Sequence, residues 1–190
     1  SIGLADDHTF LVGTVGMLRA DRQPWLFVPI FAEIARELPD VNFIFAGGGA
    51  EFEKMKGLLE ENNLQDRVSL PGLVSDSRYP LSLMDLYISL NVGPVTGLAG
   101  MEAVMADVPV IGLQWIPDYE TSKDDWIWSS EEHLEVAKRA TALLKSDMLR
   151  NELAVRQKEF LLSNLTVDAM ATSYYELYDS AMKNVSALAS

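Results

Sequence analysis

The strongest constraint on this chain is an alternation. Short apolar runs end in glycine or small polar residues, and each is followed by a stretch of helical spacing. "TFLVGTVGML" is broken by Gly13 and Gly16, and "VNFIFAGGG" runs into Gly47, Gly48 and Gly49. "RVSLPG", "DLYISLN" and "VPVIGL" follow further on. Unbroken apolar runs of this length suit strands buried on both faces, and glycines at their ends mark turns. Between them, residues 25–38 place Leu26, Ile30, Ile34 and Leu38 at helical spacing. Pro29 is tolerable only near a first turn, so this helix is expected to start late or bend there. "EFEKMKGLLEENNL", a brief helix within "SDSRYPLSLM" and residues 98–106 complete the set. The pattern predicts right-handed βαβ units around a parallel sheet of five or six strands, flanked by helices on both faces.

The last third is helical throughout. "EEHLEVAKRATALLKSD" is preceded by a capping-box pattern at Ser129 and Glu132. "MLRNELAVRQKEFLLSN" predicts a second helix, and "TVDAMATSYYELYDSAMKNV" a third with Thr166 as N-cap. No repeat, low-complexity tract or linker interrupts the 190 residues, which read as one domain. The absence of an initial Met suggests a piece of a longer protein.

Composition removes several function classes. A net charge of −13 argues against nucleic acid or an anionic membrane surface, because phosphate neutralisation needs clustered Lys and Arg. There are no cysteines, so disulfides and thiolate metal sites are excluded. His8 and His133 are the only histidines and lack metal-ligand spacing; no metal or cofactor is expected. No apolar stretch reaches the roughly 18–20 residues of a membrane span, and "SIGLADDHTF", without a basic n-region or apolar h-region, is not expected to act as a signal peptide.

In open α/β sheets ligands bind beyond the carboxyl ends of the strands. Here those ends are the loops 16–24, 47–50, 71–77, 91–97 and 114–122, four of which contain glycine and let backbone approach a ligand. The helix after Gly97 adds N-terminal N–H groups suited to phosphate. There is no GxGxxG fingerprint after the first strand, no P-loop and no GxSxG elbow. What remains is a nucleotide or nucleotide-sugar pocket made largely of backbone. Glu102 stands out within "GLAGMEAVMADVPVIGL", where a solvated helix face is the plainer explanation.

These loops, taken in order, resemble the C-terminal, donor-binding domain of retaining GT-B glycosyltransferases, over residues 10–178. "VGTVGMLRADRQP" resembles the family's first strand and phosphate loop, and "VNFIFAGGGAEFEKMKGLL" its second strand and glycine turn. "RVSLPGLVSDSRYPLSLMDLYISLN" is similar to its V-x-F-x-G-x-V and A-D-V-F-V-x-P-S run. "GLAGMEAVMADVPVIGL" is similar to its E-A-M-A-x-G-x-P-V-I signature, and the closing helices resemble those that cross back to the N-terminal domain. The resemblance implies nucleotide-sugar contacts at Gly16, Arg19, Gly47, Leu73, Val74, Gly97, Leu98 and Glu102. In particular, Glu102 would hold the ribose hydroxyls, and Arg22 would take the catalytic role at the diphosphate.

The chain departs from the family at Pro94, at Met17 and in the loop "GLQWIPDYET" after "PVI". Pro94 stands where a Glu normally contacts the donor sugar, and Met17 where an Arg is expected. The resemblance implies hexose transfer from a UDP- or GDP-sugar in bacterial polysaccharide or lipopolysaccharide assembly. The acceptor domain would lie elsewhere in the parent protein, which would be cytoplasmic or peripheral to the inner membrane through that missing part. The alternative is a GT-B-like binding or scaffold module that lost its donor contacts.

Overall fold

The structure, a computed structural model, describes residues 10–89, 97–112 and 133–188. Five strands form one sheet: β1 Phe10–Val15, β2 Val41–Ala46, β3 Val68–Gly72, β4 Leu86–Ser89 and β5 Val110–Gly112. Their order is β3-β2-β1-β4-β5 and every pair is parallel. The chain builds outward from β1 through β2 to β3, then returns to the other side of β1 for β4 and β5. Strand order therefore reverses between β1 and β4, which is where such sheets open a crevice.

The helices are α1 Phe27–Glu37, α2 Phe52–Glu61, α3 Arg78–Leu81, α4 Leu98–Met105, α5 His133–Leu144, α6 Asp147–Asn164 and α7 Val167–Leu188. Alternation along the strands feeds two cores. Val12, Phe43, Phe45, Leu86 and Ile88 face α1, α2 and α5, while Leu11, Ile44, Tyr87 and Val110 face α3 and α4. In the first core Phe31 stacks on Phe43 with ring centroids 4.4 Å apart, and Phe27 meets Phe45 edge-on at 5.0 Å. Burying side chains of this size stabilises the fold by about 1.5–3 kcal/mol each.

Local signals explain the helix ends. Two short turns of 3-10 helix, Ala20–Arg22 and Pro24–Leu26, precede α1. α1 starts at Phe27, so Pro29 falls in its first turn, where the missing N–H costs no helical hydrogen bond. The sequence reading carries the first C-terminal helix through Asp147, and the structure corrects it. Ser146 is extended (φ −143°, ψ 102°) and its hydroxyl accepts a bond from the Leu149 N–H at 3.3 Å, so it caps α6 instead. Thr166 caps α7 as expected, accepting from the Ala169 N–H at 3.1 Å. The Ser129–Glu132 pattern lies outside the described residues.

α6 wraps the β5 edge of the sheet: its Leu153 joins one core and its Leu161 the other. Between them Gln157 is buried against Val110. Its Oε1 accepts from the Val110 N–H at 2.8 Å and its Nε2 donates to the Val110 carbonyl at 2.7 Å. A side-chain amide thus satisfies edge groups that would otherwise invite another strand. Among the described residues no helix is long and apolar enough to cross a membrane.

Candidate functional site

A cavity of about 200 Å³ opens at the carboxyl ends of β1 and β4. Its walls include Thr14 and Gly16 from β1 and its exit, Arg19 and Arg22 from the following loop, Tyr87 and Ser89 from β4, and Gly97 and Leu98 at the start of α4. Composition alone does not place these groups together. The reversal of strand order does.

The loop after β1 is held by backbone. The Gly16 N–H donates to the Ala46 carbonyl, the Leu18 N–H to that of Gly48, and the Glu51 N–H to that of Leu18, each at 3.0 Å. This close seating requires the glycines of the β2–α2 turn. A Cβ on Gly47 would sit 1.7 Å from the Gly16 oxygen. Gly49, at φ 153°, would bring one to 2.3 Å from the Leu18 oxygen. Gly47 therefore supports the loop from behind and does not line the cavity, where the resemblance implies a direct ligand contact.

Two arginines and a helix end supply positive potential. Arg19 makes a bidentate pair with Asp21, both bonds at 2.9 Å, and its side chain is 54% exposed. Arg22 closes the 3-10 turn, its N–H bonded to the Arg19 carbonyl at 3.0 Å. Across the cavity Gly97 is extended (φ −62°, ψ 154°) as the N-cap of α4, with no side-chain cap. Helix geometry leaves the Leu98 and Ala99 N–H groups without intrahelical acceptors, and the positive end of the α4 dipole faces the cavity.

Tyr87 lies on the cavity floor. Its hydroxyl donates to the Val15 carbonyl at 3.1 Å and accepts from the Val15 N–H at 3.4 Å. Burial pushes the phenol above the usual tyrosine range, a shift opposed by the hydrogen bonds from Thr14 and Val15.

Of the residues expected from the sequence, Gly16, Arg19, Arg22, Gly97 and Leu98 converge on the cavity. Glu102 lies one turn along α4, exposed, its Oε2 accepting from the Ser77 hydroxyl at 2.9 Å; it is not in the cavity wall. Leu73 is 79% exposed beside Gly48, and Val74 packs against the α3–α4 core. Met17 lines the cavity. Sequence reasoning missed Thr14, Tyr87 and Ser89, which lie within strands and read there as core. Pro94 and the loops 91–96 and 114–122 lie outside the described residues. Among the described residues no cluster of three or more His, Cys, Asp or Glu side chains could hold a metal ion.

The family described as glycosyl transferases group 1 matches residues 9–146. N-acetyl-alpha-D-glucosaminyl L-malate synthase of Bacillus anthracis is 26% identical over 160 residues, covering 83% of this chain. The chain spans 42% of that relative's length. Among solved structures, a mutant of Staphylococcus aureus TarM in complex with fondaparinux, alpha-GlcNAc-glycerol and UDP superposes with a TM-score of 0.76 at 18% identity. That match covers 94% of this chain and 38% of TarM. Anabaena HepE in complex with UDP and glucose gives 0.75 at 17% identity, covering 90% of this chain and 48% of HepE. These likenesses establish a shared fold.

Proposed function

The chain belongs to the group 1 glycosyl transferases and has their GT-B-type sheet, and from that premise we propose that residues 1–190 form the donor-binding domain of a retaining enzyme. The donor is a UDP- or GDP-linked hexose, bound with its diphosphate in the β1–β4 cavity. One observation carries this reading: Arg19, Arg22 and the N-terminus of α4 converge on one cavity at the strand-order reversal. As the glycosidic bond breaks, negative charge grows on the leaving diphosphate. Fixed cationic groups and a helix end lower the barrier by stabilising that charge. Arg22 is assigned the catalytic role and Arg19 the second clamp. UDP in the TarM and HepE structures supports the nucleotide class.

Glu102 is proposed to hold the ribose, with Leu73 and Val74 as supporting contacts of the same ligand and Gly47 acting through the Gly16 loop that it seats. An acceptor domain in the rest of the parent chain completes the active site. Support comes from the 42% coverage and from α7, whose Met170, Tyr174 and Leu177 line an apolar groove of about 480 Å³ with Met101 and Leu165. Bacterial polysaccharide assembly on the cytoplasmic side is the proposed setting.

A second reading has its own observation. Met17 occupies the cavity wall where the resemblance expects a cation, as in a module that kept the fold and lost the donor. Isothermal titration with UDP, GDP and UDP-hexoses separates the two. Millimolar or tighter binding is expected for the donor domain, and silence with all of them leaves the scaffold.

A further inference from the structure

β1 pairs with β2 as far as Val15 and Ala46, and β4 pairs with β5 as far as Ser89 and Gly112. Between β1 and β4, however, pairing is confined to Val12 with Leu86 and Gly13 with Tyr87. The two central strands part at Gly13 and Tyr87, while each stays joined to its outer neighbour. Past that point the Val15 N–H and carbonyl face the gap, and both are taken by the Tyr87 hydroxyl. The other end of β1 is finished in the same manner: the Leu11 N–H donates to the Asp85 carboxylate and the Leu11 carbonyl accepts from the Asp85 N–H, each at 2.8 Å.

A buried backbone pair must find partners. Without the phenol, Val15 would turn to the β4 backbone or to water. The first closes the gap in which the cavity lies, and the second loosens the exit of β1. Tyr87 is 3% exposed and its ring is fixed among the side chains of the α3–α4 core, so its hydroxyl is a rigid spacer. Gly16 follows Val15 directly, and the turn with both arginines follows Gly16.

We propose that Tyr87 is a positioning residue of the nucleotide site: its hydroxyl stands in for strand pairing, holds β1 and β4 apart, and sets the loop of Gly16, Arg19 and Arg22 for the ligand's diphosphate. This inference rests on the reading of the cavity as a nucleotide site. The chemistry needs a phenol. Phenylalanine fills the same space and leaves Val15 unpaired.

The test titrates UDP and GDP into wild type, Tyr87→Phe and Ile34→Val, with melting temperatures measured in parallel. Ile34 lies in the opposite core, away from the cavity, and its variant controls for lost stability. The expected result is a loss of about tenfold in affinity for Tyr87→Phe, with none for Ile34→Val at a comparable fall in melting temperature. Equal affinity in wild type and Tyr87→Phe overturns the inference and leaves the nucleotide reading intact. Parallel losses in both variants also overturn it, since stability alone would then explain them. If wild type binds neither nucleotide, the reading of the cavity fails and the inference with it.

Amide exchange on the wild type needs no variant to fold. The Val15 N–H should be protected like that of Gly16, and UDP should slow it further. Exchange at the rate of an open loop would show that the hydroxyl does not hold this strand end.

Discussion

The Ser77 hydroxyl donates to the Glu102 carboxylate at 2.9 Å, joining the start of α3 to the second turn of α4. Glu102 is exposed and Ser77 half-buried, so this bond contributes little to folding but fixes one oxygen of the carboxylate. The other oxygen is the one proposed to meet a ribose. Removing a charged hydrogen-bond partner costs about 1.5–3 kcal/mol. Glu102→Ala is therefore expected to weaken UDP or GDP binding roughly tenfold or more, with a nearly unchanged melting temperature. Calorimetry beside a thermal melt checks both, and equal nucleotide affinity would reduce Glu102 to part of a helix surface.

Asp21 competes with a phosphate for Arg19, since it already occupies two of the guanidinium donors. Asp21→Asn should tighten UDP binding by about threefold to tenfold, more at low salt than at high. Arg22→Ala should weaken UDP by about tenfold while leaving the much weaker affinity for uridine unchanged, because the nucleoside carries no diphosphate. A uniform loss for both ligands would remove Arg22 from the phosphate site.

Two glycines make a matched pair. Gly47→Ala drives a Cβ into the Gly16 backbone oxygen at 1.7 Å, and backbone cannot swing aside as a side-chain tip can. A fall in stability of about 2–4 kcal/mol is expected, together with a displaced arginine loop. Gly57, within α2, has nothing within 4 Å of an added Cβ, so Gly57→Ala should stabilise by about 0.5–1 kcal/mol. Chemical denaturation of both variants measures the two signs.

Gln157→Leu keeps most of the volume and removes both bonds to Val110. Each buried backbone group left unpaired costs about 1–3 kcal/mol, so the melting temperature should drop by roughly 5–15 °C. A melt within a degree of wild type would show that β5 needs no such partner.

Tyr87 also makes a pH prediction. Its folded phenol is raised above the ordinary value of 10.0, mainly by burial, so the folded state holds the proton after the unfolded state has released it. The unfolded chain then binds fewer protons, and stability falls as pH rises above about 10. Below that, this group contributes no slope. Denaturation midpoints from pH 8 to 11 should show the fall in wild type and less of it in Tyr87→Phe.

The alternation of apolar runs with helical stretches was enough to predict a parallel sheet covered on both faces. Strand and helix periods are local properties, and a run such as "VNFIFAGGG" is too apolar to leave either face in water. Thr166 was likewise legible as a cap, because an N-cap acts within three residues. Ser146 was not, since "LLKSDML" keeps helical propensity on both sides and only the departure of α6 across the sheet edge demands a break there. The site divided along the same line. Arg19, Arg22 and Gly97 stand in loops, where sequence exposes them as candidates. Tyr87, Thr14 and Ser89 stand in strands, where a hydroxyl reads as core until the tertiary structure shows which strand pair is left open. The pairing of residues 72 positions apart, Val15 with Tyr87, depends on strand order. Strand order is decided by how whole βαβ units pack, so no local stretch of the chain could encode it alone.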